Sequence, residues 1–165
     1  MARFQATVES VAALSGTAPV SGGATNGLFA NLIAGASGGY KLRRVTLGVR
    51  AGASVPTSQQ VTVAVVRATA RGTQTTNVTG NKMDPNGPSP NASLDTAWSA
   101  APTATYTAPY LFEASFNTQS GVDLPWELLE EWITTSGVAN GLAFFNVANA
   151  LPASHLYTCA FEWEE

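Results

Sequence analysis

The sequence predicts an all-β protein, an antiparallel β-sandwich of jelly-roll type built as one domain over residues 1–165. Three observations predict it. Short runs of alternating apolar and polar residues recur with turn residues about every ten positions, the habit of sandwich strands. No segment sustains the i, i+3, i+4, i+7 pattern of a long amphipathic helix. Charged residues make up 12% of the chain, about half of the roughly 25% usual for a soluble domain, so the surface is drawn from Ser, Thr, Asn, Gln, Gly and Ala.

The first strand is expected over residues 4–14, followed by an exposed loop at 15–27, where "SGTAPVSGGATNG" carries too much Gly, Pro and Ser for a strand. A second strand is expected at 27–33. In "VTLGVR", Val45, Leu47 and Val49 share one face while Thr46, Gly48 and Arg50 share the other. Residues 59–70, "QQVTVAVVRATA", repeat this with Val61, Val63 and Val65 inward. The Gly/Pro/Ser connection between the two predicts an antiparallel return, so these strands are expected to pair. Residues 79–95 hold three prolines and two glycines and predict a long loop or arm with a partner to contact. Further strands are expected at 109–117, 132–136, 141–148 and 155–163.

The stretch "SGVDLPWELLEEWITTSG" places four carboxylates and two tryptophans close together. Asp123 suits a helix N-cap, Pro125 tolerates a first turn, and Glu127 suits the positive end of a helix dipole. One short helical turn near residues 124–129 is therefore expected. Leu124, Leu128 and Leu129 would share one side, with Glu127, Glu130 and Glu131 facing water or a partner. Adjacent carboxylates such as Glu130 and Glu131 face different ways and cannot flank a scissile bond as a glycosidase pair does. Glu113 with Glu131 would need strands to bring them together.

Other chemistry has little to build on. His155 is the single histidine and Cys159 the single cysteine, which rules out an internal disulfide. Four apart on one strand face, they stand about 13 Å from each other, beyond hydrogen-bond reach. No nucleophile elbow, phosphate loop or zinc spacing occurs. The sequence therefore predicts no enzyme, no metal and no cofactor. "MARFQATVES" has no apolar signal core, and no run approaches the roughly 20 apolar residues of a membrane span; a soluble chain with no membrane partner is expected.

Charge is segregated along the chain. Eight basic residues against Glu9 alone give +7 over residues 1–82, and ten acids without a base give −10 over residues 83–165. The acidic half and a pI near 5.1 argue against nucleic acid as the partner of "YKLRR". Interleaved in one sandwich, the two halves can pair within the molecule or between neighbouring copies. Arg43, Arg44, Glu130 and Glu131 are the candidate interface. Trp98, Tyr106 and Tyr110 in "WSAAPTATYTAPY" offer an alternative, a sugar-stacking platform of a carbohydrate-binding or receptor-binding tail or fibre module.

Three segments, "VTLGVRAGASVPTSQQVTVAVVRATARGT", "FNTQSGVDLPWELLEEWITTSGVANGLAFFNV" and "LPASHLYTCAFEWEE", together resemble small β-sandwich virion proteins of tailed bacteriophages and prophages that decorate or cement a capsid. The phrases "SGVDLPWE", "NGLAFFN" and "FEWEE" carry the likeness, which covers about two-thirds of the chain. The resemblance implies a non-enzymatic structural protein made in the host cytoplasm and placed on the capsid surface. It also implies the major capsid protein as partner and self-association as a homotrimer.

Overall fold

A computed structural model describes residues 1–165. It contains thirteen strands and no helix: β1 (Arg3–Glu9), β2 (Leu28–Ile33), β3 (Tyr40–Ala51), β4 (Gln60–Ala70), β5 (Thr73–Thr79), β6 (Asn81–Lys82), β7 (Ser93–Ala100), β8 (Thr103–Ala104), β9 (Phe112–Asn117), β10 (Val122–Pro125), β11 (Trp132–Thr134), β12 (Gly141–Val147) and β13 (His155–Glu164). Every pairing is antiparallel. One sheet runs β10-β3-β13-β1-β6, with β11 also on β3; the other runs β5-β7-β2-β12-β4-β8, with β9 also on β4. The two sheets pack as a β-sandwich.

Eight strands organise the chain as one long hairpin rolled on itself. β1 pairs with β13, β2 with β12, β3 with β10 and β4 with β9. Neighbours in sequence therefore alternate between sheets. This overturns the expected pairing of 45–50 with 59–70: β3 and β4 lie in opposite sheets, and their connection crosses the end of the sandwich. Each finds its partners at long range, β3 on β13 and β4 on β12.

Between the sheets lies the main core, where Val61, Val63 and Val65 of β4 meet Leu42, Val45 and Leu47 of β3 and Phe161 and Trp163 of β13. The seven-stranded sheet is buried on its other face as well. Ala64, Val66, Ala143 and Phe145 are covered there by the 101–110 segment through Ala101, Tyr106 and Tyr110. That second layer explains the unbroken burial of β2 and the near-continuous burial of β4 and β12. The six-stranded sheet keeps one face in water, and β1 and β13 alternate accordingly.

Several boundaries differ from the sequence reading for local reasons. β1 ends at Glu9: the Ser10 N–H still donates to the Tyr157 carbonyl at 2.9 Å, but the Ser10 hydroxyl, not its carbonyl, accepts the Tyr157 N–H at 3.0 Å. β3 begins at Tyr40, five residues early, because a bulge at Arg43 separates the buried pair Tyr40 and Leu42 from Val45 and Leu47 and breaks the period of 2. Residues 15–27 do form a loop. Residues 79–95 are not a free arm: β6 pairs with β1 inside them, and Ser93 already belongs to β7. The remaining span is tied down where the Glu165 carboxylate accepts the N–H groups of Asn91 and Ala92 at 2.7 and 2.9 Å. The helical turn expected near 124–129 is absent. Residues 122–125 are extended on the edge of β3, with Asp123 opposite Thr46 and Pro125 opposite Arg44. Proline is tolerated there because the outer edge donates no ladder bond.

Candidate partner-binding surface

The segregated charges meet across the six-stranded sheet, since rolling the chain lays its acidic second half beside its basic first half. Arg44 on β3 grips Asp123 on β10 with two bonds of 2.8 and 2.6 Å, and Thr46 Oγ1 donates to the same carboxylate at 3.0 Å. Arg50 bonds Glu9 at 2.8 Å and Arg3 bonds Glu164 at 2.7 Å. Arg43, turned aside by the bulge, ion-pairs with Glu131 and reaches Glu164 at 3.2 Å. On the other sheet, Arg71 holds Asp95 through bonds of 2.8 and 2.5 Å. Five of the eight basic residues are thus neutralised within the chain.

Electrostatics follow from these contacts. Asp123 is held below the usual carboxylate range chiefly by the hydrogen bonds from Arg44. Burial raises the Glu164 carboxyl, but bonds from Arg3 and Arg43 outweigh it and hold the group low. Asp95, fully buried, is pushed up by desolvation that Arg71 only partly offsets.

The candidate interface residues therefore divide. Arg43 and Glu131 form an internal pair, with the Glu131 side chain 1% exposed. That corrects the expectation that Glu131 faces water or a partner. Arg44 lies at the surface but is already gripped by Asp123. Glu130 alone is exposed with no ion pair, as is Glu127 nearby. The leucines also part company, for Leu124 packs against the core while Leu128 and Leu129 project into solvent.

The aromatic trio does not form a shared platform. Trp98 and Tyr106 are 9% and 6% exposed. Tyr106 and Tyr110 each meet Phe145 edge-on, at interplanar angles of 86° and 80°, and the Tyr106 hydroxyl donates to the Pro102 carbonyl at 3.0 Å. Their apolar faces are spent on the second core layer.

The chemically capable side chains are likewise built into the scaffold. His155 Nε2 accepts the Thr57 N–H at 3.2 Å, which leaves Nδ1 to donate to the Ala153 carbonyl at 3.0 Å. Cys159 is buried between the sheets, and desolvation pushes its thiol far above the usual range. Glu113 stands exposed on β9, whereas Glu131 is taken up by Arg43. No group of three His, Cys, Asp or Glu side chains is placed to hold a metal ion, and no helix is long and apolar enough to cross a membrane.

What remains open is the outer face of the six-stranded sheet and its margins. A groove of about 510 Å³ runs over Thr7, Thr46, Gly48, Thr158 and Ala160, walled by residues 118–123. A second cavity of about 280 Å³ lies where Met83, Pro125, Trp126 and Leu128 meet Arg3 and Arg44. The sequence reading passed over Asp123 as an ion-pair partner and Leu129 as an exposed side chain. The period-2 pattern of "GVDLP" was the available signal for the first. No family model matches the chain, and neither does any curated protein or solved structure.

Proposed function

We propose that this chain is a non-enzymatic structural protein of a tailed-bacteriophage virion, decorating and cementing the head shell by protein–protein contact with the major capsid protein. Copies self-associate, as a homotrimer, on the capsid surface. The observation that carries the reading is how the polar chemistry is spent. The histidine, the cysteine and five of eight basic side chains serve the scaffold, while the open surface consists of Thr-rich sheet face, loops and exposed aliphatic side chains. Such a surface suits broad contact of many modest interactions rather than transformation of a small molecule.

The strand order supports it by analogy. First-with-last pairing of eight strands is compatible with a jelly roll, an architecture that recurs in viral capsid and lectin domains. Fold alone does not assign function, so the segment resemblance to capsid decoration proteins selects between those two.

The test is cosedimentation of the purified chain with head shells assembled from the major capsid protein of the same genome. Saturable binding that raises the temperature at which the shells break is the expected result. Shells that neither bind the chain nor gain stability refute the proposal.

A further inference from the structure

The connections at one end of the sandwich carry no charge. β1, β3, β9 and β12 deliver the chain to that end, and residues 10–27, 52–59, 118–121 and 148–154 return it. None of these four connections holds a titratable side chain. They are held to one another by neutral hydrogen bonds. Gly52 N–H donates to the Ser154 carbonyl at 2.7 Å and Leu151 N–H to the Leu14 carbonyl at 2.9 Å. Ser54 Oγ donates to the Ala153 carbonyl at 3.1 Å, and Thr118 Oγ1 to the Thr57 carbonyl at 2.6 Å. Into this neutral end the fold places His155, the first residue of β13 and a side chain whose ordinary titration falls near neutrality.

The ring is 2% exposed and clasps the 52–59 connection. A backbone N–H only donates, so Nε2, 3.2 Å from the Thr57 nitrogen, is the acceptor, and Nδ1 carries the proton directed at the Ala153 carbonyl 3.0 Å away. Only the neutral ring fits this arrangement. An imidazolium has a proton on both nitrogens and no free lone pair, so it keeps its bond to Ala153 but sets one N–H against another at Thr57.

No counter-charge stands ready to offset the clash. On β13 the next inward side chain is Tyr157, whose hydroxyl is spent on Asn146 at 2.8 Å, and Cys159 follows it. Glu9 on β1 and Arg50 on β3 lie opposite Thr158 and Leu156 and bond each other on the outer face of the sheet. The connections packed around the ring supply no charged group at all. The two sides of the contact also differ in their access to water. Val55, Pro56, Thr57 and Ser58 are exposed, so a released Thr57 N–H is solvated, whereas a buried imidazolium held in place leaves a donor unpaired. Parting of the two is therefore the way the clash is relieved.

We propose that His155 and Thr57 form an acid-released clasp: one proton taken up from solvent at Nε2 breaks their contact and frees residues 53–58 from the rest of the end. Gly52 and β4 remain as the anchors on either side. Release falls in the range where histidines titrate, around pH 6.5, and so above the ordinary carboxylate range of about pH 4. Asp95, the carboxyl raised by burial, lies on β7 beside Arg71 and touches neither partner of the clasp. The inference concerns the chain alone and does not rest on the proposed function.

The experiment is nuclear magnetic resonance of the full chain between about pH 8 and about pH 5, on wild type, His155→Gln and His155→Phe. His155 is the single histidine, so its ring nitrogen signals identify themselves. In wild type, Nε2 is expected to gain its proton as hydrogen-exchange protection of the Thr57 amide, measured against the unstructured rate at the same pH, falls about tenfold or more. The Leu151 amide, bonded to Leu14 at the same end, should keep its protection. Glutamine sets an amide oxygen near the place of Nε2 and does not titrate, so His155→Gln should hold Thr57 protected throughout. Phenylalanine offers no acceptor, and His155→Phe should leave Thr57 unprotected at either end of the range. Near-ultraviolet circular dichroism checks that both variants are folded, and if they are not, the wild-type titration decides alone. A ring that stays neutral across the range overturns the proposal, as does a Thr57 amide whose protection is unchanged once the ring is protonated. A loss of protection in folded His155→Gln equal to that of wild type overturns it as well.

Discussion

Replacing Arg43 by Met tests most directly whether the charged bulge on β3 serves the fold or a partner. The substitution keeps an apolar stem of similar length and removes the guanidinium. Glu164 retains Arg3 at 2.7 Å, so the loss falls on Glu131, whose side chain is 1% exposed and whose cation is Arg43. Stranding a buried carboxylate by removing its partner costs about 3–5 kcal/mol. For a domain of this size each kcal/mol lowers the unfolding temperature by about 2–4 °C, so a fall of about 6–20 °C is expected. Urea unfolding followed by circular dichroism should give a lower midpoint at unchanged slope. The double variant Arg43→Met/Glu131→Met removes both charges and should recover most of the loss, since a buried pair is often replaceable by apolar residues. A single variant within about 1 kcal/mol of wild type, outside the range expected for a stranded buried charge, would refute the assignment. Altered association mass without a change in unfolding temperature would return Arg43 to a partner-facing role.

The remaining predictions concern other parts of the sandwich. Depressed carboxyls at Asp123 and Glu164 contribute stability that is full above their unfolded values and lost as pH falls through the folded ones. The unfolding temperature should therefore drop below about pH 4, and Arg44→Gln should flatten that acid limb by removing the part of Asp123. Asp95 works in the opposite sense: its raised carboxyl contributes most at acid pH and less as pH rises through its folded value, so Asp95→Asn should steepen the acid limb. Gly80→Ala would drive a methyl into the ring of fully buried Trp163; a loss of about 1–3 kcal/mol is expected in denaturant titration, and a neutral result would contradict the packing. Cys159, buried with its thiol pushed up, should resist a thiol-reactive dye until denaturant unfolds the chain.

How far the strands were legible depends on how local their signal is. Val61, Val63 and Val65 announce a buried face within five residues, and β4 stands where that alternation puts it. The N-terminal part of β3 was hidden because the bulge at Arg43 breaks the period that marks the rest of the strand. β5, with the sequence TQTTNVT, was passed over because an exposed edge strand has no apolar face to display. In "GVDLP" an N-cap aspartate and a strand aspartate look alike over a few residues. What separates them is Arg44, 79 residues away in sequence.

By itself the sequence determined that this protein is all-β, that its strands have alternating apolar faces, and that its charge is divided between a basic first half and an acidic second half. These follow from composition and short-range period, which a chain carries before it folds. Only the tertiary structure decided which sheet each strand joins, that five of the eight basic side chains find acidic partners inside the molecule, and that Leu128 and Leu129 stay exposed on a turn. Those outcomes depend on pairing residues far apart in the chain, β1 with β13 and β2 with β12. Local pattern carries no information about which distant strand will supply a partner's hydrogen bonds.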